Sequence, residues 1–127
     1  MKEVVRTESA PAPFQGAPYS QAIKANGFVF VSGQLALRPD HAEIVGDSIS
    51  EQTEQVLTNL RAILEAAGSG LDRLVKTTVF LQSLDDFAAM NDVYKQHVGD
   101  APPARSTVEV AKLPSGALVE IEAIAIL

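Results

Sequence analysis

The chain contains no cysteine among its 127 residues and has few basic side chains. The absence of cysteine excludes disulfide bonds, thiolate nucleophiles and zinc sites with cysteine ligands. Ten Lys and Arg against sixteen Asp and Glu give a net charge of −6, which disfavours binding to a phosphate backbone, so we expect no nucleic-acid partner. The sequence also lacks a signal-peptide pattern and an apolar run of about 20 residues. We therefore expect a soluble cytoplasmic protein with no membrane partner.

The length and the composition favour one folded unit. A chain of 127 residues has the usual size of a single domain, and 46% hydrophobic with 20% charged residues is ordinary globular usage. No linker, internal repeat or low-complexity segment divides the sequence. We therefore predict a single domain that spans residues 1–127.

Local patterns predict six strands and two helices. Asn26-Gly27 between two apolar stretches indicates a β-hairpin, because this turn needs positive φ at both central residues. Ser48 and Glu51 form a capping box before a helical stripe of apolar residues that ends at Gly68. The predicted strands cover residues 4–5, 22–25, 28–31, 75–81, 105–110 and 119–126, and the first helix begins at residue 49. This order of elements indicates an α+β fold.

The second helix is predicted to open with Ser83 and Asp86 and to end near Gly99, before two prolines. Its buried side is predicted to consist of Leu84, Phe87, Ala88 and Tyr94. Two helices cover only one face of the sheet, whereas the fourth and sixth strands are apolar on both faces. The second face is therefore expected to pack against another copy of the chain, with clefts between the subunits of a symmetric homo-oligomer.

Two charged side chains are candidates for binding and activating a small acid. Glu120 shares a strand face with Glu122 and two isoleucines, which draw a carboxylate toward a desolvated region. Arg105 follows a rigid Pro-Pro pair and opens a strand that we interpret as adjacent, so its guanidinium fork would have little freedom. A guanidinium grips a carboxylate through two parallel hydrogen bonds, while a nearby carboxylate takes a proton from water. The alternative is a structural salt bridge between Arg105 and Glu120.

Other polar residues carry weaker signals. Tyr19 lies where a proline-fixed loop meets a strand, so its phenol would close a pocket from the rim. Ser32 has no histidine in a nucleophile arrangement, which favours a structural role as a cap or in a β-bulge. Gly33 indicates either a bulge or a close approach of the backbone to another group. Asn91 either faces a cleft or satisfies a turn carbonyl.

No pattern for a metal or a bound cofactor is present. His41 stands alone in a polar loop and His97 stands alone near a helix end, so no metal site is expected. Neither a phosphate-binding glycine loop nor a dinucleotide fingerprint occurs in the sequence. The predicted chemistry therefore rests on amino-acid side chains.

Four segments of the sequence form specific motifs. They are Pro18-Tyr19-Ser20-Gln21-Ala22, Val31-Ser32-Gly33-Gln34, Pro103-Ala104-Arg105-Ser106-Thr107-Val108-Glu109-Val110 and Gly116-Ala117-Leu118-Val119-Glu120-Ile121-Glu122. These segments resemble the reactive-intermediate deaminase family, RidA or YjgF, and the similarity covers nearly the whole chain. The resemblance implies a chorismate-mutase-like α+β fold, a mixed six-stranded sheet with two helices on one face, and a homotrimer with a site at each subunit interface.

The resemblance also implies an activity and a set of site residues. Members of the family hydrolyse reactive enamines and imines that pyridoxal-phosphate enzymes release, and their hydrolysis needs no cofactor. Arg105 would hold the substrate carboxylate, and Glu120 would orient the attacking water. The residues implied to line the pocket are Tyr19, Ser32, Gly33, Asn91 and, through its backbone amide, Thr107. The expected reaction converts 2-imino acids such as 2-iminopropionate and 2-iminobutyrate to 2-keto acids and ammonia.

The sequence departs from the family pattern at two positions. Thr107 stands where many relatives have cysteine, so behaviour that depends on a thiol is expected to be absent. Ala17 stands where relatives usually have glycine before Pro-Tyr-Ser, and alanine disfavours positive φ. We therefore expect Ala17 to restrict the loop that carries Tyr19.

Two other functions are considered beside the deaminase. The first is a non-enzymatic module that binds small carboxylates or a partner through the same pocket. The second is endoribonuclease activity or translation inhibition, which the net charge of −6 and the lack of a basic stripe disfavour.

Overall fold

The computed structural model describes residues 1–40 and 43–127, so His41 lies outside the described residues. Its elements confirm the six strands and two helices predicted from the sequence. In chain order they are β1 Glu3–Val5, β2 Ala22–Ala25, β3 Phe28–Gln34, α1 Ile49–Ala66, β4 Leu74–Leu81, α2 Phe87–Val98, β5 Ala104–Glu109 and β6 Val119–Ile126.

The strands form one mixed sheet in the order β1-β2-β3-β6-β4-β5. β4 and β5 are parallel, and every other neighbouring pair in the sheet is antiparallel. Asn26 and Gly27 take positive φ at the turn between β2 and β3, as the hairpin signal predicted. The last strand of the chain therefore lies in the middle of the sheet, and β5 lies at an edge.

The hydrophobic core lies between the first helix and one face of the sheet. The predicted capping box is confirmed, since Ser48 accepts a hydrogen bond from the Glu51 amide and Glu51 accepts one from the Ser48 amide. The apolar stripe of α1 and the inward side chains of β3, β4 and β6 are fully or almost fully buried, namely Val56, Leu57, Leu60, Ile63, Leu64, Val29, Val31, Val79, Leu81, Ile121 and Ala123. Each buried aliphatic side chain contributes about 1.5–3 kcal/mol to folding.

The second helix differs from its prediction in its first turn and in its buried side. Residues 84–86 form a 3-10 turn, α2 begins at Phe87, and the Ser83 side chain accepts a hydrogen bond from the Asp85 amide. The predicted buried positions Leu84, Phe87 and Ala88 are exposed. The residues of α2 that are buried are Met90, Tyr94 and Val98. The prediction failed there because α2 lies beside the edge strand, where the sheet covers less of the helix.

The face of the sheet opposite the helices is open and carries exposed apolar side chains beside the carboxylates of β6. Phe28, Phe30, Val108 and Ile126 lie on it with exposed fractions of about 40%. Their pairing places Phe28 beside Ile126, and Phe80 between Val108 and Glu120. An exposed apolar patch of this kind is typical of an interaction surface.

Among the described residues, no helix combines the length and the hydropathy that crossing a bilayer requires.

Candidate active site

A cleft of about 480 Å³ opens at the junction of β3, β6 and the loop before β2. The sequence-predicted residues in its wall are Tyr19, Ser32, Gly33 and Glu120. The structure adds Phe14, Leu35, Pro114 and Glu122, which the sequence analysis did not propose as pocket residues. The cleft thus combines apolar walls with two carboxylates, the usual make-up of a site for a small organic ligand.

Gly33 and Glu120 are in direct contact across β3 and β6. The pairing of these strands shifts between Val31 and Gln34, which is the irregularity of a β-bulge. A Cβ atom built on Gly33 would lie 2.9 Å from the Glu120 Cδ and closer still to its Oε2. Both readings of this glycine, the bulge and the close approach, are therefore confirmed.

Ser32 and Tyr19 fix the loop at the rim of the cleft. The Ser32 hydroxyl donates a 2.6 Å hydrogen bond to the Ser20 carbonyl, and the Phe14 amide donates one of 2.6 Å to the Tyr19 hydroxyl. Ala17 has φ −62°, so alanine fits this loop without strain. The expectation that Ala17 restricts the loop was wrong, because the positive φ values occur earlier, at Gln15 and Gly16.

Gln21 anchors the proline-rich segment that forms one wall of the cleft. Its side chain is 4% exposed and its amide donates hydrogen bonds to the carbonyls of Thr7, Ala10 and Pro11. Its Oε1 accepts a 2.8 Å hydrogen bond from the Thr7 amide. The sequence analysis missed this role, since a glutamine beside a tyrosine and a serine carries no local signal of burial.

A second depression of about 340 Å³ lies between α2 and β5 and contains Arg105 and Asn91. The Arg105 Cζ lies 4.8 Å from the centre of the Tyr94 ring and 5.6 Å from that of Phe87. Asn91 Oδ1 and Thr107 Oγ1 are buried and have no hydrogen-bond partner among the described residues. Buried polar atoms are normally satisfied, and of these two residues Asn91 is the one that lines the depression.

Arg105 and Glu120 lie on opposite faces of the sheet. Arg105 pairs with Thr77, whose hydroxyl contacts the Tyr94 hydroxyl of α2, so Arg105 belongs to the helix side. Glu120 pairs with Phe80 of the open face. The interpretation of β5 and β6 as adjacent was wrong, because β4 lies between them. A salt bridge between Arg105 and Glu120 of the same chain is therefore excluded.

The described carboxylates also leave Arg105 without an ionic partner. The ion pairs between described residues join Lys24 to Glu3, Lys95 to Asp92 and His97 to Glu54. One contact of the guanidinium is a hydrogen bond with the Tyr94 side chain, and no described carboxylate competes with an external acid for its remaining N–H donors.

His97, which the sequence placed alone near a helix end, bridges the two helices. Its Nε2 lies 2.9 Å from the Glu54 carboxylate, and its Nδ1 lies 3.0 Å from a guanidinium nitrogen of Arg61. Because a guanidinium only donates, Nδ1 is the accepting nitrogen in this arrangement. Within residues 1–40 and 43–127, no group of three or more His, Asp or Glu side chains is placed to hold a metal ion.

The cleft raises the pKa of Glu120 above the ordinary value of a glutamate. The main cause is burial, and the negative charge of Glu122 on the same strand face adds to it. Because the shift is upward, the protonated form stabilises the fold at low pH. That contribution is lost as the pH rises through the raised pKa.

We expect Glu122→Gln to lower the pKa of Glu120 toward its ordinary value, because the substitution removes the neighbouring like charge. The measurement is a titration of the side-chain carboxyl carbon of Glu120 by NMR. Glu65→Gln, which changes the net charge equally at an exposed position of α1, is the matched control and should leave the Glu120 midpoint unchanged. An unchanged midpoint in Glu122→Gln would assign the whole shift to burial.

We expect Gly33→Ala to displace the Glu120 carboxyl from its position in the cleft. The added Cβ overlaps the flexible end of the Glu120 side chain, so the side chain moves and the cost in stability is about 1 kcal/mol. Gly70→Ala is the matched control, since its Cβ would lie 2.7 Å from the Asp72 carboxylate at a site remote from the cleft. Crystal structures of both variants and their melting temperatures test this. A Glu120 carboxyl that stays in place in Gly33→Ala would contradict the expectation.

Comparisons with known proteins agree with the motifs and the fold. Residues 7–127 match the family model described as Endoribonuclease L-PSP. A RutC family protein from Pyrococcus horikoshii is 54% identical over 125 residues, which cover 98% of each chain. A 2-iminobutanoate/2-iminopropanoate deaminase from Capra hircus is 43% identical over 126 residues, or 99% of this chain and 90% of the relative.

A solved structure shows the same fold. The structure of E. coli TdcF with bound serine superposes with a TM-score of 0.90 at 40% identity and covers 98% of both chains. The family match, the relatives and this superposition each extend over almost the whole chain. The chain therefore belongs to the Endoribonuclease L-PSP family, the family of RidA and YjgF that its sequence motifs resemble.

Proposed function

We propose that the protein is a deaminase that hydrolyses small 2-imino acids, such as 2-iminopropionate and 2-iminobutyrate, to 2-keto acids and ammonia. The observation that carries the proposal is the guanidinium of Arg105, which has no carboxylate partner among the described residues and shares its depression with Asn91, whose buried Oδ1 has no hydrogen-bond partner there. The name of the relative from Capra hircus supports this reaction, and the serine bound to TdcF supports a small carboxylate ligand.

The reaction requires a bound anion and an oriented water. The protonated C=N carbon of a 2-imino acid is electrophilic, so positioning and charge stabilisation supply much of the catalysis. Arg105 holds the carboxylate through two parallel hydrogen bonds, and Glu120 takes a proton from the water that attacks C2. Glu120 returns this proton to the nitrogen of the resulting carbinolamine, the C–N bond breaks with ammonia as the leaving group, and the hydroxyl gives its proton to the Glu120 carboxylate as it becomes the keto group. A raised pKa makes the Glu120 carboxylate a better base for this step.

The site is completed by a second copy of the chain. Arg105 and Glu120 of one protomer lie on opposite faces of the sheet and cannot meet on one substrate. Packing of the open apolar face against neighbouring copies buries Phe30 and Ile126 and brings Arg105 of one subunit to the cleft of the next. The family resemblance supports three copies.

Ammonia release tests the reaction. A dehydratase that generates the imines from serine or threonine is run with and without the purified protein, and the protein should accelerate release of ammonia and 2-keto acid. Equal release in both reactions, together with saturable binding of 2-oxobutyrate, would favour the non-enzymatic carboxylate-binding module instead. RNA cleavage is not favoured, since the net charge is −6.

Sedimentation equilibrium tests the assembly. The wild-type mass should be three times 13.5 kDa, and Phe30→Glu should dissociate the trimer because it places a charge on the open face. Dissociation should also abolish turnover. A fully active monomer would contradict the shared site.

A further inference from the structure

The guanidinium of Arg105 rests on an aromatic surface that α2 supplies. Phe87 and Tyr94 are seven residues apart, which places them on the same side of a helix two turns apart. The distances of 5.6 Å and 4.8 Å from the Arg105 Cζ to their ring centres both fall within the range of a cation–π contact. We refer to these two rings as the aromatic shelf.

The shelf is itself anchored to the sheet beneath the arginine. Tyr94 is 4% exposed, and its hydroxyl forms a 2.6 Å hydrogen bond with the Thr77 hydroxyl. Thr77 is 1% exposed and is the residue of β4 that pairs directly with Arg105 of β5. The same backbone register therefore positions the arginine and the ring under it. A rotation of the Tyr94 ring would break a buried hydrogen bond, which is costly.

We propose that Phe87 and Tyr94 are positioning residues that orient the Arg105 fork toward the substrate carboxylate, with the Thr77 hydroxyl fixing the shelf. An arginine on an exposed edge strand has many rotamers, and binding an anion would otherwise require their immobilisation. Stacking on two rings restricts the plane of the guanidinium and leaves its edge N–H groups for the acid. This inference deepens the proposed function and rests on it for the identity of the ligand.

The first measurement follows Arg105 itself and requires no ligand. The Nε–H resonance of Arg105, assigned by its loss in Arg105→Lys, should carry a ring-current shift in the wild-type protein. Phe87→Leu and Tyr94→Leu should each move this resonance toward the position of a solvated arginine. Leu84→Ala is the matched control, since it removes another exposed apolar side chain, in the 3-10 turn just before α2, that makes no contact with the Arg105 guanidinium of the kind the two rings make.

The second measurement is the affinity for 2-oxobutyrate by isothermal titration calorimetry. Phe87→Leu should weaken binding about 3-fold, the size expected for an exposed cation–π contact, and Phe87→Tyr should restore it. Tyr94→Leu should weaken binding by about 30-fold, the size expected for a desolvated contact. Tyr94→Phe and Thr77→Val should each cost a few-fold, and adding Thr77→Val to Tyr94→Phe should cost no more than Tyr94→Phe alone, because that variant already lacks the hydroxyl that Thr77 bonds.

The third measurement separates positioning from loss of fold. Phe87→Leu should raise the KM for the imino acid several-fold while kcat changes little, and its melting temperature should match that of Leu84→Ala. A structural role alone would lower the melting temperature without changing KM.

The outcomes distinguish this inference from the proposed function. Unchanged affinity in both Phe87→Leu and Tyr94→Leu would overturn the shelf, whatever the activity, as would an Arg105 resonance that neither variant moves. If the wild-type protein releases no ammonia, the deaminase proposal is overturned. If Phe87→Leu and Tyr94→Leu still change the Arg105 resonance and the affinity as expected, the aromatic shelf stands. A wild-type protein that fails to bind 2-oxobutyrate would overturn both.

Discussion

Replacement of Arg105 by alanine is expected to abolish the acceleration of ammonia release, with kcat/KM lower by about 100-fold or more. Two hydrogen bonds between a guanidinium and a carboxylate contribute about 1.5–3 kcal/mol each, so losing both accounts for that factor. Arg105 pairs with no carboxylate among the described residues, so its loss leaves no broken ion pair within the described chain. The measurement is the rate of ammonia release at several substrate concentrations.

Two further variants test whether the loss of rate is specific to the guanidinium group of Arg105. Arg105→Lys keeps the positive charge and loses the planar pair of donors, so it should recover only a small part of the rate. Arg73→Ala removes an exposed positive charge before β4 and should behave as the wild type. Wild-type rates in Arg105→Ala would refute the assignment of Arg105 as the residue that binds the substrate carboxylate.

Replacement of Glu120 by glutamine is expected to lower kcat by about 100-fold or more while the affinity for 2-oxobutyrate is retained. A positioned general base contributes about 10²–10⁴ to a rate, and an amide cannot accept the proton of the attacking water. The carboxylate of the ligand is held by Arg105 in the proposed mechanism, so binding should not depend on Glu120. Single-turnover kinetics and calorimetry provide the two measurements.

The stability of Glu120→Gln serves as an internal check on that experiment. Burial and Glu122 raise the pKa of Glu120, so its ionised form costs stability at neutral pH. Glutamine removes this cost, and the melting temperature at pH 7 should therefore not fall. Glu65→Gln should match the wild type in rate and in stability. Unchanged turnover in Glu120→Gln would reduce this residue to a structural role.

Local patterns predicted the elements of this fold well because the signals lie within each segment. The capping box at Ser48 and Glu51 and the turn at Asn26-Gly27 occur in the structure as predicted. The start of α2 was predicted less well, because the choice between a 3-10 and an α-helical turn at residues 84–86 depends on packing against β5. The exposure of Phe87 follows from the same packing.

The candidate site was predicted only in part for a related reason. Sequence motifs identified Tyr19, Ser32, Gly33 and Glu120, and the structure brings these four residues to one cleft. Arg105 lies elsewhere, because strand alternation defines two faces but does not state which strands are neighbours. The spacing of seven residues between Phe87 and Tyr94 places both rings on one side of the helix. The sequence analysis interpreted that side as part of the core, and not as a contact surface for Arg105.

The sequence alone determined the family, the succession of strands and helices, the absence of thiol chemistry and the identity of the charged candidates. Tertiary structure alone decided that β6 enters the centre of the sheet and that β4 separates Arg105 from Glu120. The physical reason is the range of the interactions. Caps, turns and apolar periodicity act over a few residues, whereas strand order depends on contacts between segments that are distant in the chain.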